Sequence, residues 1–177
     1  TNLFTLITSN LNDSRAQLKQ AACESTAILW GPRRQQSPDG ILSKEALKSF
    51  SQQVCMIAED NKNDDELRKQ ATRALKYAAK SAHYLPTDDF NSLSPMFINR
   101  CSVTFCRNSK AIDPQLNFSA IRGLHYLFRW PKDKSNSNNI ITDVIKTCTD
   151  ADIKTILSDF SRKPSYASDE ADSDNEL

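Results

Sequence analysis

The sequence predicts an all-α fold: a right-handed solenoid of about three and a half stacked helical hairpins over residues 1–162, followed by a disordered acidic tail over 163–177. Three observations predict it. A helical stripe recurs at a fixed interval of 49 residues: Leu67, Ala71, Ala74, Leu75 and Ala78 share one face of LRKQATRALKYAAKSA, with Leu18, Ala22, Ser25, Thr26 and Leu29 upstream and Leu116, Ala120, Gly123, Leu124 and Leu127 downstream. A period in this range is the mark of stacked helical units, each too small to cover its own apolar face. Glycine occurs only three times and β-branched runs are few, which favours helix over sheet. Each member of the repeat also ends in an aromatic residue and a proline: Trp30-Gly31-Pro32, Tyr84-Leu85-Pro86 and Trp130-Pro131.

The expected helices follow in order. Residues 2–10 carry Leu3, Phe4, Leu6 and Ile7 on a short first helix, and the chain's opening on Thr1 suggests a piece of something longer. Asn12 or Asp13 is the expected cap of a second helix running to Trp30, and 31–42 reads as a polar loop rich in turn residues. Ser43 is expected to cap a third helix on Ala46, Leu47, Phe50, Val54, Ile57 and Ala58, with Glu45 in its first turn. After a polar break from Glu59 to Asp64, Asn63 and Glu66 resemble a capping box for the alanine-rich helix that ends near His83.

Ser94-Pro95 is the expected start of the next helix, on Phe97, Ile98, Cys101 and Phe105. The alternation Cys101, Val103, Phe105 also fits a short strand, but the helical context on both sides outweighs it. Asp113-Pro114 gives a second start signal for a helix on Leu116, Ala120, Ile121, Leu124, Leu127 and Phe128. Residues 131–138 read as a loop, 139–148 as a short helix on Ile140, Ile141, Val144 and Ile145, and Thr149 with Asp152 as the cap of the last helix. The hairpins are thus expected at about 1–30, 43–83, 94–130 and 139–161.

DDELRKQATRAL resembles the second helix of HEAT repeats, in which an acid precedes an aliphatic residue, a base and spaced alanines and leucines. DPQLNFSAIRGL resembles it less closely, with Asn117 at the basic position, and DSRAQLKQAACEST keeps Asp13, Leu18, Lys19 and Ala22 but departs at Ser25 and Thr26. The resemblance covers most of 1–162 and implies an armadillo-like architecture. In the last third, AIRGLHYLFRW followed by VIKTCTDADIKTILSDFSRK is similar to the extreme C-terminus of the general-control translational activators. Those are very large ribosome-associated HEAT scaffolds that help switch on the starvation-responsive kinase of initiation factor 2. That similarity implies a cytoplasmic scaffold in translation control, with protein or ribosome partners. Nuclear-transport or microtubule-associated HEAT adaptors are the alternative. Tubulin-binding arrays place their key tryptophan within a hairpin, whereas Trp30 and Trp130 fall between hairpins and are expected to hold one onto the next.

The chemistry points the same way. His83 and His125 lie late in their helices with nothing placing either beside a cysteine, and Cys101 and Cys106 lack zinc-site spacing. Glycines at 31, 40 and 123 form no phosphate loop. No enzyme, cofactor, metal or small-molecule substrate is expected. The odd count of five cysteines, four of them at apolar helical positions, reads as reduced core thiols in a cytosolic or nuclear protein. No signal peptide or long apolar run argues for secretion or a membrane.

Charge supplies the candidate site. Of the 22 acids, five fall in 165–177 with no base, leaving 17 against 23 bases in the rest of the chain. Arg68, Lys69, Arg73, Lys76 and Lys80 recur along the second inner helix, with Arg33 and Arg34 in one loop and Lys132 and Lys134 in another. Together they suggest a basic strip for ribosomal RNA or an acidic protein, set against the plainer reading of a solvated helix face. Ser173, followed by Asp174, Asn175 and Glu176, fits an acidophilic kinase.

Overall fold

A computed structural model of the chain describes residues 3–30, 44–82, 85–129 and 134–162. Among them the regular structure is entirely α-helical: α1 Leu3–Leu11, α2 Ala16–Leu29, α3 Lys44–Glu59, α4 Asp65–Ala82, α5 Thr87–Asn108, α6 Pro114–Arg129, α7 Lys134–Thr147 and α8 Ala151–Arg162. Cys101, Val103 and Phe105 are helical, as expected.

Two layers arise from a simple alternation. Each of α2, α4 and α6 packs on the odd-numbered helix before it, and α4 lies between α2 and α6 while α3 lies between α1 and α5. The alanines of α4 explain the closeness of the inner layer. Ala71, Ala74, Ala78, Ala79 and Ala82 are all fully buried, and short side chains let helix backbones approach with little entropy lost. The repeat register is reproduced in α4 and α6, where all five stripe residues of each are buried. In α2, Ala22 and Thr26 are buried but Ser25 is exposed, its hydroxyl donating to the Ala21 carbonyl at 2.7 Å. An end position in the inner layer accounts for this, since α2 has α4 on one side only among these helices.

Trp30 joins the first two hairpins. Its ring is buried edge-on against Phe50 of α3, 4.6 Å between centroids, and its carbonyl accepts a hydrogen bond from Ser81 of α4 at 3.2 Å. The last pair breaks the alternation. α8 leans on α5 and α7, and Phe160 reaches the Phe128 ring of α6 at 6.2 Å.

Several boundaries differ from expectation. The cap of α2 is Arg15, with no side-chain cap hydrogen bond, while Asp13 accepts the Arg15 N–H at 2.9 Å just outside the helix. α4 is capped by Asp64, whose Oδ1 accepts the Leu67 N–H at 2.7 Å; Asn63 is turned away and donates to the Ile57 carbonyl at 2.9 Å. α8 is capped by Asp150 rather than Thr149, through the Ile153 N–H at 3.1 Å. Asp113 caps α6 as expected, accepting from Leu116 at 2.9 Å. In α4, α6 and α8, then, an aspartate sits three residues before a buried aliphatic residue.

Helix α5 begins at Thr87, not at Ser94-Pro95. Pro86, at φ −52° and ψ 146°, sets the start, and Asp88 and Asp89 place negative charge in the first turn. The helix runs on through Pro95 because Leu93, Phe97 and Ile98 are buried on either side of it. Burying three such side chains is worth about 5 kcal/mol or more, against roughly 3 kcal/mol for an interior proline. α7 starts at Lys134, inside the expected loop, and Ile141 and Val144 are buried along it. The loop 31–42, Ser43, His83, Tyr84, Trp130 and the acidic segment 163–177 lie outside the described residues.

Candidate binding groove between α4 and α6

The five α4 cations expected to form one strip divide into three environments. Arg68 and Lys69 are tied down at the start of the helix. Arg68 donates to the Asn108 side chain at 3.2 Å and to the Ala58 carbonyl at 3.4 Å, and pairs with Asp65 at 3.5 Å. Lys69 pairs with Glu66 at 2.8 Å and with Asp113 at 3.7 Å. The hydrogen bond to Glu66 raises the Lys69 pKa and lowers that of Glu66; Asp113 is lowered first by the backbone N–H of Leu116 that it caps.

Lys76 and Lys80 are not on a solvated face. They are 1% and 4% exposed, with Lys76 Nζ 4.6 Å from the Tyr77 ring centroid and 6.0 Å from that of Phe118, and Lys80 Nζ 5.2 Å from Tyr126. Their aliphatic stems fill the seam between the helices while the ammonium groups lie against aromatic faces. Two of the five expected α4 cations therefore do not face solvent.

Arg73 differs from all four. It lies beside the Tyr77 ring at 6.0 Å, and its solvent-shielded Nε finds no hydrogen-bond acceptor among the described residues. It borders a groove of about 480 Å³ lined by Lys69, Gln70, Arg73, Gln115, Phe118 and Ser119. Phe118 stands 47% exposed on the opposite wall. Further along, Arg122 lies 5.6 Å from the Tyr126 ring. Arg33, Arg34, Lys132 and Ser173 lie outside the described residues, and Lys134 opens α7.

Charge alone is a poor guide to the α6 wall. The signal that would have found it is the repeat itself: Arg73 and Tyr77 stand 49 residues before Arg122 and Tyr126, so α4 and α6 both carry an Arg-x-x-x-Tyr pair on one face. The equivalent positions in α2 are Glu24 and Ile28.

No family model matches the chain, and comparison with curated proteins and with solved structures returns no match either.

Elsewhere the buried chemistry is structural. Cys23, Cys55, Cys101 and Cys106 are buried free thiols, and burial pushes Cys23 and Cys106 up to about 12 and Cys101 well above its ordinary value. Glu59, at the end of α3, accepts hydrogen bonds from Arg100, Thr104 and Arg107 of α5, the last at 3.0 Å. Burial pushes the Glu59 carboxyl up, and the Arg100 and Thr104 hydrogen bonds with the two guanidinium charges overcome it, leaving the pKa lowered. His125 lies edge-on to Tyr126 at 5.9 Å. Among the described residues no cluster of three or more His, Cys, Asp or Glu is placed to hold a metal ion, and no helix is long and apolar enough to cross a membrane.

Proposed function

We propose that the chain is a non-catalytic helical-repeat scaffold of HEAT type that holds a protein partner against its inner helices. The single observation that carries this is the repeat register: stripe residues 49 apart, Leu67 with Leu116 and Leu75 with Leu124, take up the same buried positions in two neighbouring hairpins. The free edge fits the same reading. Leu3, Leu6 and Ile28 expose apolar surface on the first hairpin, of the kind the middle hairpins bury against one another.

Within that class, the resemblance of the last third to the general-control translational activators supports a place in the amino-acid-starvation response, in the cytoplasm and at the ribosome. The burial of Lys76 and Lys80 shifts the proposed partner from ribosomal RNA to protein, because their ammonium groups lie against rings rather than in reach of phosphates. Co-sedimentation tests this. The chain is expected to travel with polysomes and to be displaced by Arg73→Glu. Co-sedimentation with microtubules or nuclear-pore material instead would replace the translational reading with that of an adaptor.

A further inference from the structure

We propose that the groove between α3 and α5, in the other layer, docks an amphipathic helix of a protein partner, one with an apolar stripe and a carboxylate near each end of it. The groove measures about 860 Å³ and has two walls. Lys48, Gln52 and Met56, four residues apart, line up along α3, and Arg100 and Val103 face them from α5. Ser51 and Phe97, 3% and 4% exposed, form the floor. The Cys55 thiol reaches the Arg100 carbonyl at 4.0 Å, and the Glu59 carboxylate pairs with the Arg100 guanidinium, which together set the level of the two walls. Arg100 therefore stands near the Met56 end, and Lys48 lies two helical turns, or about 12 Å, away at the other.

The order of apolar and charged surface along the groove defines its occupant. Met56 is 58% exposed, across from the half-buried Val103, and methionine adapts to many apolar shapes. Lys48 is exposed and makes no ion pair among the described residues. At the other end Arg100 and the half-exposed Arg107 bring two positive charges to the single carboxylate of Glu59, whose side chain is only 14% exposed. Both ends are thus net positive, and among the described residues no acid lines the groove. Above Lys48 the positive surface stops, at Glu45 and at the ion pair of Lys44 with Asp89, 3.8 Å apart. The complement is an apolar stripe about two turns long with one carboxylate for Lys48 and one for the arginines.

A helix suits these walls better than an extended strand. The backbone groups of α3 and α5 are bonded within their own helices, so the groove has no edge for a strand to pair with, whereas a helix arrives with its own backbone satisfied. A nucleic-acid strand fits less well. Its phosphates need an unbroken row of cations, and here exposed Met56 and Val103 interrupt the row. The site does not depend on the reading of the inner helices, which polysome co-sedimentation and Arg73→Glu test separately.

The probe is a designed helical peptide of about four turns, with leucine at i, i+4 and i+7 and a glutamate within a turn of each end of that stripe. It is titrated at low salt into the nitrogen-15-labelled full chain, and binding is followed by the amide signals. Those of Lys48, Gln52, Asn99 and Val103 are expected to shift together and to saturate. Lys48→Glu should weaken binding by about fivefold and Met56→Ser by about tenfold. Both positions are exposed, and a melting curve for each variant separates lost binding from lost folding. A peptide with lysine in place of glutamate should bind at least about fivefold more weakly, and one with serine in place of leucine should shift nothing. No shift up to about 1 mM peptide overturns the proposal. So do shifts confined to other helices, an affinity indifferent to both substitutions, or an oligouridylate that moves the same signals at lower concentration than the peptide.

Discussion

The side-chain amide of Asn108, the last residue of α5, donates to the Ala58 carbonyl near the end of α3 at 3.2 Å. The same nitrogen donates to Thr72 Oγ1 of α4 at 3.1 Å, and the amide oxygen accepts from Arg68 at 3.2 Å. A buried asparagine thus joins three helices at the end where two hairpins turn. Replacing it with leucine keeps the branched shape and removes all three bonds, leaving Arg68 with Asp65 and the Ala58 carbonyl and Thr72 with the Arg68 carbonyl. Asn108→Leu should lose about 2–3 kcal/mol in chemical denaturation, and a loss within 0.5 kcal/mol (roughly the noise of surface substitutions) would show the node to be incidental.

Gly123 of α6 lies under the ring of Phe105, and a Cβ there would run into that ring. Phe105 is itself fully buried and cannot swing aside. Gly123→Ala gains about 1 kcal/mol of helix propensity and incurs up to about 3 kcal/mol of overpacking. A net loss of roughly 1–2 kcal/mol is expected, seen as a fall in Tm, and pairing it with Phe105→Leu should recover part of it.

Glu59 makes stability pH-dependent, with a definite sign. Its folded pKa lies below the ordinary value, so its contribution is complete above the unfolded pKa of about 4.3 and is lost as pH falls through the lower folded value. Arg107 is half exposed, which discounts the interaction. Glu59→Gln should cost roughly 1–2 kcal/mol at pH 7. It should also flatten the fall in stability below about pH 4.3. Parallel pH profiles for the two proteins would rule this out.

Lys76 tests the aromatic seam. Lys76→Met preserves the unbranched stem and removes the charge beside Tyr77 and Phe118, so it should cost clearly less than a charge reversal at the same position. Lys76→Glu buries a carboxylate against aromatic rings and should cost more than about 3 kcal/mol, measured by melting. A charge-reversal test of binding must therefore use Arg73 and leave Lys76 alone, since reversing both would report unfolding.

Thiol chemistry should be selective. Cys23, Cys55, Cys101 and Cys106 are buried, whereas Cys148 is half-buried at the end of α7. Iodoacetamide on the native chain should modify Cys148 first, with the other four reacting only after denaturant is added. Mass spectrometry of the alkylated peptides decides it.

The fold was legible where burial is periodic. Leu67, Ala71 and Leu75, and their counterparts at 116, 120 and 124, declare an apolar face without reference to any neighbour. Boundaries were less legible because start signals compete. Ser94-Pro95 is a good start in isolation, yet Pro86 with Asp88 and Asp89 is another, and the burial of Leu93 ahead of Pro95 favours the earlier one. The groove was half legible. Arg73 stood out as a charge, but Lys76 and Lys80 looked equivalent to it, since the rings that bury them, Phe118 and Tyr126, come from a helix some 49 residues away.

The place of α4 between α2 and α6 has a mechanical consequence. α4 links α2 to α6 in one layer as α3 links α1 to α5 in the other, so a load passing from the first helices to the last would cross the alanine column of α4 and the α3–α5 contact together. Hydrogen exchange should begin at α1 and α8 and fray inward, with α4 the last to open. Loosening the α4 column would leave the first and last helices coupled through α3 and α5 alone.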